Sequence, residues 1–122
     1  MVQTLLIVSE SASLSRMLYI TLKGDGFDAV DSCEASEALL WLGKGKAHLI
    51  LVDMDMAAMD GVAFVEQVRR LPTYRFTPVI MLTTGVDDAS RRRGLNMGVK
   101  HWIAKPFQPP ILLAMVYRLI LI

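Results

Sequence analysis

Three carboxylates, Asp53, Asp55 and Asp60, stand within eight positions of the stretch "LILVDMDMAAMDG", residues 49–61. The apolar run Leu49-Ile50-Leu51-Val52 that precedes them reads as a buried strand, so Asp53 needs a partner or a task. Other chemically capable residues follow other apolar runs. Ser9 and Glu10 follow "TLLIV", Thr83 closes "PVIMLT", and Lys105-Pro106 follow "KHWIA". Acids, a hydroxyl and an ammonium at one sheet edge match the needs of a phosphoryl site with a divalent cation. Oxygen ligands suit Mg²⁺, which keeps several waters and takes one or two carboxylates. Developing phosphoryl charge calls for a metal, an ammonium and a hydrogen-bond donor. A carboxylate can itself be the nucleophile and form an acyl phosphate.

Such an edge must be built by elements that alternate. Strands are expected at 4–8, 27–31, 48–52, 78–83 and 100–104. The helix after the first strand carries Leu14, Met17, Leu18 and Leu22 at helical spacing, has serines to cap it, and stops at Gly24 or Gly26. A second helix, 34–45, aligns Ala38, Leu39 and Leu42. Asp60 caps a third that turns Val62, Val65, Val68 and Leu71 inward and ends before Pro72. Residues 87–98 open on acids and close on glycine, and 109–122 open on two prolines suited to a helix start. Five βα pairs with continuous apolar strands predict a doubly wound five-stranded parallel sheet in the flavodoxin-like order 2-1-3-4-5. In such sheets ligands sit at the carboxyl ends of the strands.

The chain has 122 residues, room for one domain at 1–122, and the apolar stop at Ile122 leaves open that it was cut from a longer chain. It is 53% hydrophobic, with a net charge of +1 from 13 basic and 12 acidic residues, and a mean hydropathy of +0.42. This balance gives no broad reason to bind nucleic acid or an anionic membrane, and leaves apolar surface for a partner. Cys33 is the only cysteine, so no internal disulfide is available, in keeping with a cytoplasmic setting. The N-terminus lacks a basic region ahead of "LLIV", so no signal peptide is expected. The longest apolar stretch, Ile111 to Ile122, is interrupted by Arg118 and falls short of the ~20 residues of a membrane span.

Taken together, Asp53 in "LILVDMDMAAMDG", Thr83 in "PVIMLTTG" and Lys105-Pro106-Phe107 in "GVKHWIAKPF" resemble the receiver domain of two-component response regulators, over essentially the whole chain. The resemblance implies that Asp53 is the phosphoacceptor, with a histidine kinase or phosphotransfer protein as donor. Thr83 would hydrogen-bond the phosphoryl group and Lys105 would ion-pair with it. Glu10, Asp53 and the Asp55 backbone carbonyl would hold Mg²⁺. Lys105-Pro106 resembles the family's cis peptide, and Trp102 falls where receivers carry a switch aromatic that works with Thr83. The family's usual output and dimer face makes the 109–122 helix a candidate contact for a second protomer or a following output domain.

Three departures stand out. Ser9-Glu10 replaces two adjacent acids, Ala57-Ala58 lacks the loop proline expected two residues before Met59, and Thr84 is bulkier than the small residue usual there. One fewer carboxylate predicts weak Mg²⁺ binding. A degenerate receiver that binds partners without phosphorylation is therefore an alternative, although intact Asp53, Thr83 and Lys105 oppose it. "DMDM" after an apolar strand also resembles the first motif of haloacid-dehalogenase phosphohydrolases, but no acidic pair follows the lysine and no cap domain is present. Asp60 reads as a helix cap, the Asp55 side chain is expected to face solvent, and Trp102 reads as packing residue or switch. Arg91-Arg92-Arg93 reads as a solvated helix face. His48 and His101 fall at strand starts, the wrong edge for the site, and the methionines read as core filler.

Overall fold

A computed structural model describes residues 2–85 and 87–120. In chain order its elements are β1 (Thr4–Val8), α1 (Ala12–Gly24), β2 (Asp28–Ser32), α2 (Ala35–Lys44), β3 (Leu49–Asp53), α3 (Gly61–Arg69), β4 (Val79–Thr83), α4 (Asp88–Asn96), β5 (His101–Ala104) and α5 (Pro109–Ile120), with a 3₁₀ turn at Pro72–Tyr74. The strands form one parallel sheet in the order β2-β1-β3-β4-β5, the expected topology. Leu121 and Ile122, the expected end of the last helix, lie outside the described residues.

β1, β3 and β4 are apolar on both faces because helices cover both. Within β3, Leu49 and Leu51 join Leu18 and Leu22 of α1 and Leu112 and Val116 of α5. Ile50 and Val52 turn the other way, toward Ala38 and Leu42 of α2 and Val62, Phe64, Val65 and Val68 of α3. The period of two along a strand thus survives inside a run that looks uniformly apolar. Phe64 is fully buried, and truncating such a residue to alanine costs about 3–5 kcal/mol.

Side chains close the helix starts that frame the carboxyl edge. Ser11 Oγ accepts from the Leu14 N–H at 3.3 Å, Asp60 Oδ1 from the Ala63 N–H at 2.8 Å, and Asp87 Oδ1 from the Ser90 N–H at 2.7 Å. Asp60 is therefore the cap expected of it. Gly61 is obligatory for space: a Cβ there would lie 2.6 Å from Met81 Sδ and 2.9 Å from Met54 Cα. That close approach seats α3 directly against the end of β3.

Boundaries move by one or two residues. β3 runs one residue further than expected, so Asp53 is its last member rather than the first residue beyond it. β2 also shifts by one, to Asp28–Ser32, and α4 ends at Asn96, before the turn at Gly98, where φ is +81°. α4 itself is nearly all polar, and Gly94 is its only buried residue. On α5, Leu112 and Val116 are buried while Leu113, Met115, Leu119 and Ile120 are partly covered by the same core. Its bare apolar surface is narrower than the sequence suggests and centres on Ile111, which is 57% exposed.

Candidate functional site

The strand register fixes the edge. Val8 pairs with Val52, Asp53 with Leu82, and Thr83 with Ala104. The strands therefore end level, and Ser9, Asp53, Thr83 and Lys105 come together at their carboxyl ends.

Asp53 is 2% exposed, and three donors meet its carboxylate. Lys105 Nζ lies 2.7 Å from Oδ1, and the Asp55 N–H donates to the same oxygen at 3.0 Å. Ser9 Oγ–H donates to Oδ2 at 2.8 Å. Ser9 is itself buried, and its hydroxyl accepts from the Ser11 N–H at 3.0 Å. A buried carboxylate is tolerable because a cation and two neutral donors replace its water.

Lys105 bridges two acids, since its Nζ also lies 2.9 Å from Asp55 Oδ2. Burial alone would pull the Lys105 pKa down, but the hydrogen bonds and charges of Asp53 and Asp55 outweigh it and hold it above the ordinary 10.5. Burial pushes the Asp55 pKa up, yet Lys105 and Thr84 together hold it below the ordinary 3.8. The Lys105–Pro106 peptide is cis, as the resemblance implied.

The Asp55 side chain adds to an expectation. It is exposed, as expected, but not idle: Oδ2 accepts from the Thr84 N–H at 3.0 Å and the Thr84 hydroxyl at 3.2 Å as well as meeting Lys105. The alternation of β3 stops at Asp53. The turn closed by the Asp55 N–H on Asp53 then re-aims the next carboxylate. Nothing local in the sequence signals Thr84 as the partner of Asp55.

Glu10 lies on the same edge but is exposed. Its Oε1 accepts from the Ala57 N–H at 2.9 Å. A proline at 57 would have no N–H to give. Two of the three departures, the altered acid pair and the missing proline, thus meet in one interaction. Thr83 is buried, and its hydroxyl is engaged by its own loop, donating to the Gly85 carbonyl at 2.9 Å and accepting from the Gly85 N–H at 3.0 Å.

Trp102 is half-buried against the core on the α2–α3 side of the sheet. Its ring fills the notch left by Gly94 of α4, where a Cβ would sit 2.7 Å from the indole. The Arg91 guanidinium stacks 5.2 Å from the ring centroid. Arg93 reaches Glu66 at 2.9 Å and Asp60 at 3.9 Å. All three arginines are nonetheless exposed, as expected of a solvated helix face. His48 and His101 flank the opposite edge, where His48 Nδ1 accepts from the Thr4 N–H at 3.0 Å. Beside the site, a cleft of about 440 Å³ opens between α1 and Lys105, walled by Leu14, Met17, Pro106 and Phe107.

A family model described as the response regulator receiver domain matches residues 5–117. The chain belongs to that family. The receiver is 34% identical over 93% of its length to the DNA-binding response regulator MtrA of Mycobacterium tuberculosis, and 31% identical over 95% to the phosphate regulon transcriptional regulatory protein PhoB of Escherichia coli. It covers 49% and 51% of those proteins, so the chain spans about half the length of the curated relatives it matches. Its structure resembles that of the chemotaxis protein CheY4 of Vibrio cholerae, with a TM-score of 0.93 at 33% identity over 98% of this chain and 99% of the other. Membership sets aside the phosphohydrolase reading.

Receiver domains generally bind Mg²⁺ at the phosphorylation site. The residues expected to hold it, Asp53, Glu10 and the carbonyl of Asp55, would offer only oxygens, the donor type a hard cation takes. This set carries less charge than a site with paired acids, because Ser9 is neutral and Glu10 shares one oxygen with Ala57. Among the described residues, no three acidic, histidine or cysteine side chains cluster as metal ligands. No helix among them is long and apolar enough to cross a membrane.

Proposed function

We propose that this receiver accepts a phosphoryl group on Asp53 from a phosphohistidine of a kinase or phosphotransfer protein. The observation that carries the reading is the 2.7 Å pair between Lys105 Nζ and Asp53 Oδ1 at the end of a buried strand. In the transfer, the phosphorus–nitrogen bond of the donor breaks and the imidazole nitrogen keeps the electron pair. A phosphorus–oxygen bond forms to the Asp53 carboxylate. Lys105 offers the ammonium that the transferred charge needs. Thr83 offers a hydroxyl once it leaves Gly85. When bound, Mg²⁺ would neutralise phosphoryl charge, held weakly by Glu10, Asp53 and the Asp55 carbonyl. Thr83 and Trp102 form the switch, α5 through Ile111 is the contact for a second protomer or a following domain, and a cytoplasmic setting goes with this reading.

Intact mass after treatment with acetyl phosphate and Mg²⁺ tests the assignment. The wild type should gain one phosphoryl group and Asp53→Asn none; an equal gain in both would refute it. A second reading has one observation in its favour. Asp53 is already satisfied by three donors, which would suit a receiver that binds partners without being phosphorylated. No gain in wild-type mass, with a partner bound equally by wild type and Asp53→Asn, would select it.

A further inference from the structure

Asp55 Oδ2 collects the ammonium of Lys105 and both the backbone N–H and the hydroxyl of Thr84, within 2.9–3.2 Å. An ammonium, a main-chain N–H and a hydroxyl converging on one point describe a cradle for an anionic oxygen. The cradle opens to solvent, since the Asp55 side chain is 35% exposed, and it adjoins Asp53, which shares the same Lys105. Its present occupant is a residue of the chain, two positions from the acceptor carboxylate. We infer that Asp55 is a placeholder anion, whose carboxylate occupies the oxyanion cradle of Lys105 and Thr84 until a tetrahedral dianion displaces it.

The physical consequences are directional. A dianion entering the cradle meets the negative charge of Asp55 and must take Lys105 and Thr84 from it. No covalent bond changes in this exchange; one anion replaces another on the same donors. The displaced Asp55 releases the Thr84 N–H, so the β4–α4 loop learns of the anion through Asp55 as well as through Thr83. That the physiological occupant is the phosphoryl group on Asp53 rests on the reading above, whereas the cradle itself does not.

Inorganic sulfate is a suitable probe, as a tetrahedral dianion that modifies nothing. Its binding is followed by titration of the Thr84 amide resonance in wild type, Asp55→Asn and Asp55→Ala, each first shown to keep a dispersed native spectrum. Removing a unit charge beside the cradle should tighten sulfate by about tenfold or more in both variants. Asp55→Ala should equal or exceed Asp55→Asn, because asparagine can still accept from Thr84. A residue that merely braced the loop would give the opposite result, with sulfate binding no tighter in Asp55→Ala, and that would overturn the inference. Acetyl phosphate treatment of the same proteins separates the two readings. Sulfate tightening without any mass gain at Asp53 upholds the placeholder and refutes the phosphoacceptor. Mass gain in the wild type, with neither sulfate affinity nor rate raised in Asp55→Ala, does the reverse.

Discussion

The two flanks of Asp53 are built on different principles. On one side, Lys105 joins two carboxylates, and Asp55 carries the connection on to Thr84. This flank is charged and spans three strand ends. On the other side, Ser9 links Asp53 to the start of α1 through neutral hydrogen bonds, and Glu10 is turned away to Ala57. The cationic flank carries one departure, Thr84, beside Asp53 and Lys105, while the hydroxyl flank replaces charge with geometry. Each of the three departures answers a carboxylate: Ser9 donates to Asp53, the Ala57 N–H to Glu10, and Thr84 to Asp55. A change that looks like decay in one position at a time is a set of compensating hydrogen bonds when seen together.

Lys105→Met removes the charge that one flank depends on. It should slow acetyl-phosphate labelling of Asp53 by about a hundredfold, the usual weight of one preorganised charge-stabilising donor. Single-turnover mass measurements check this, and a loss under about threefold would mean that the cationic flank is structural only.

Much of this arrangement was legible from residue order. Asp53, Thr83 and Lys105 could be placed because each ends a strand whose apolar run is unambiguous, and level strand ends in a parallel sheet bring them together. Asp55 was not legible in the same way. Its direction depends on a turn beyond the strand and on a lysine fifty positions away. The Gly94 notch was equally silent, since a glycine inside a polar helix gives no hint of an indole in the next strand. For α5 the sequence overstated the bare surface, because partial cover on Leu113, Met115, Leu119 and Ile120 comes from tertiary packing that helical period alone does not report.

Ser9→Asp should restore charge to the neutral flank and tighten Mg²⁺ by about fivefold to tenfold, corresponding to roughly 1 kcal/mol at a partly exposed site. Titration of Trp102 fluorescence with Mg²⁺ reads it, and equal affinities would show that position 9 does not act on the ion. Ser9→Ala tests the geometry instead. Leaving Asp53 Oδ2 without its donor should destabilise the fold by about 1–3 kcal/mol in urea unfolding.

The pH dependence of the two flanks should differ. Asp55, with its pKa held below 3.8 in the fold, adds stability that is complete above that value and fades as pH falls through the folded pKa. Lys105, held above 10.5, adds stability that is complete below that value and fades as pH rises through its folded pKa. Melting temperatures across pH should therefore lose these two limbs in Lys105→Met and keep them in Ser9→Ala. The smallest effect concerns the paired departures. Glu10→Ala and Ala57→Pro should be non-additive by about 0.5 kcal/mol, the worth of an exposed hydrogen bond. Strict additivity in a double-mutant cycle would uncouple them.

The composition of α4 also sets the local stability of the molecule. Each apolar side chain that α5 buries, Leu112 and Val116 among them, anchors that helix by roughly 1.5–3 kcal/mol. α4 buries only Gly94, and its one large aliphatic residue, Leu95, is 54% exposed. Its hold on the rest of the protein rests on the Trp102 indole, stacked by Arg91, and on the pairs of Arg93 with Glu66 and Asp60. Such an element sits at the low end of the opening free energies within one native state. Its amides should exchange with deuterium well before those of β3 and before those of α5. The free energy needed to displace α4 is correspondingly small, comparable to the rearrangement of a few hydrogen bonds at the end of the neighbouring strand.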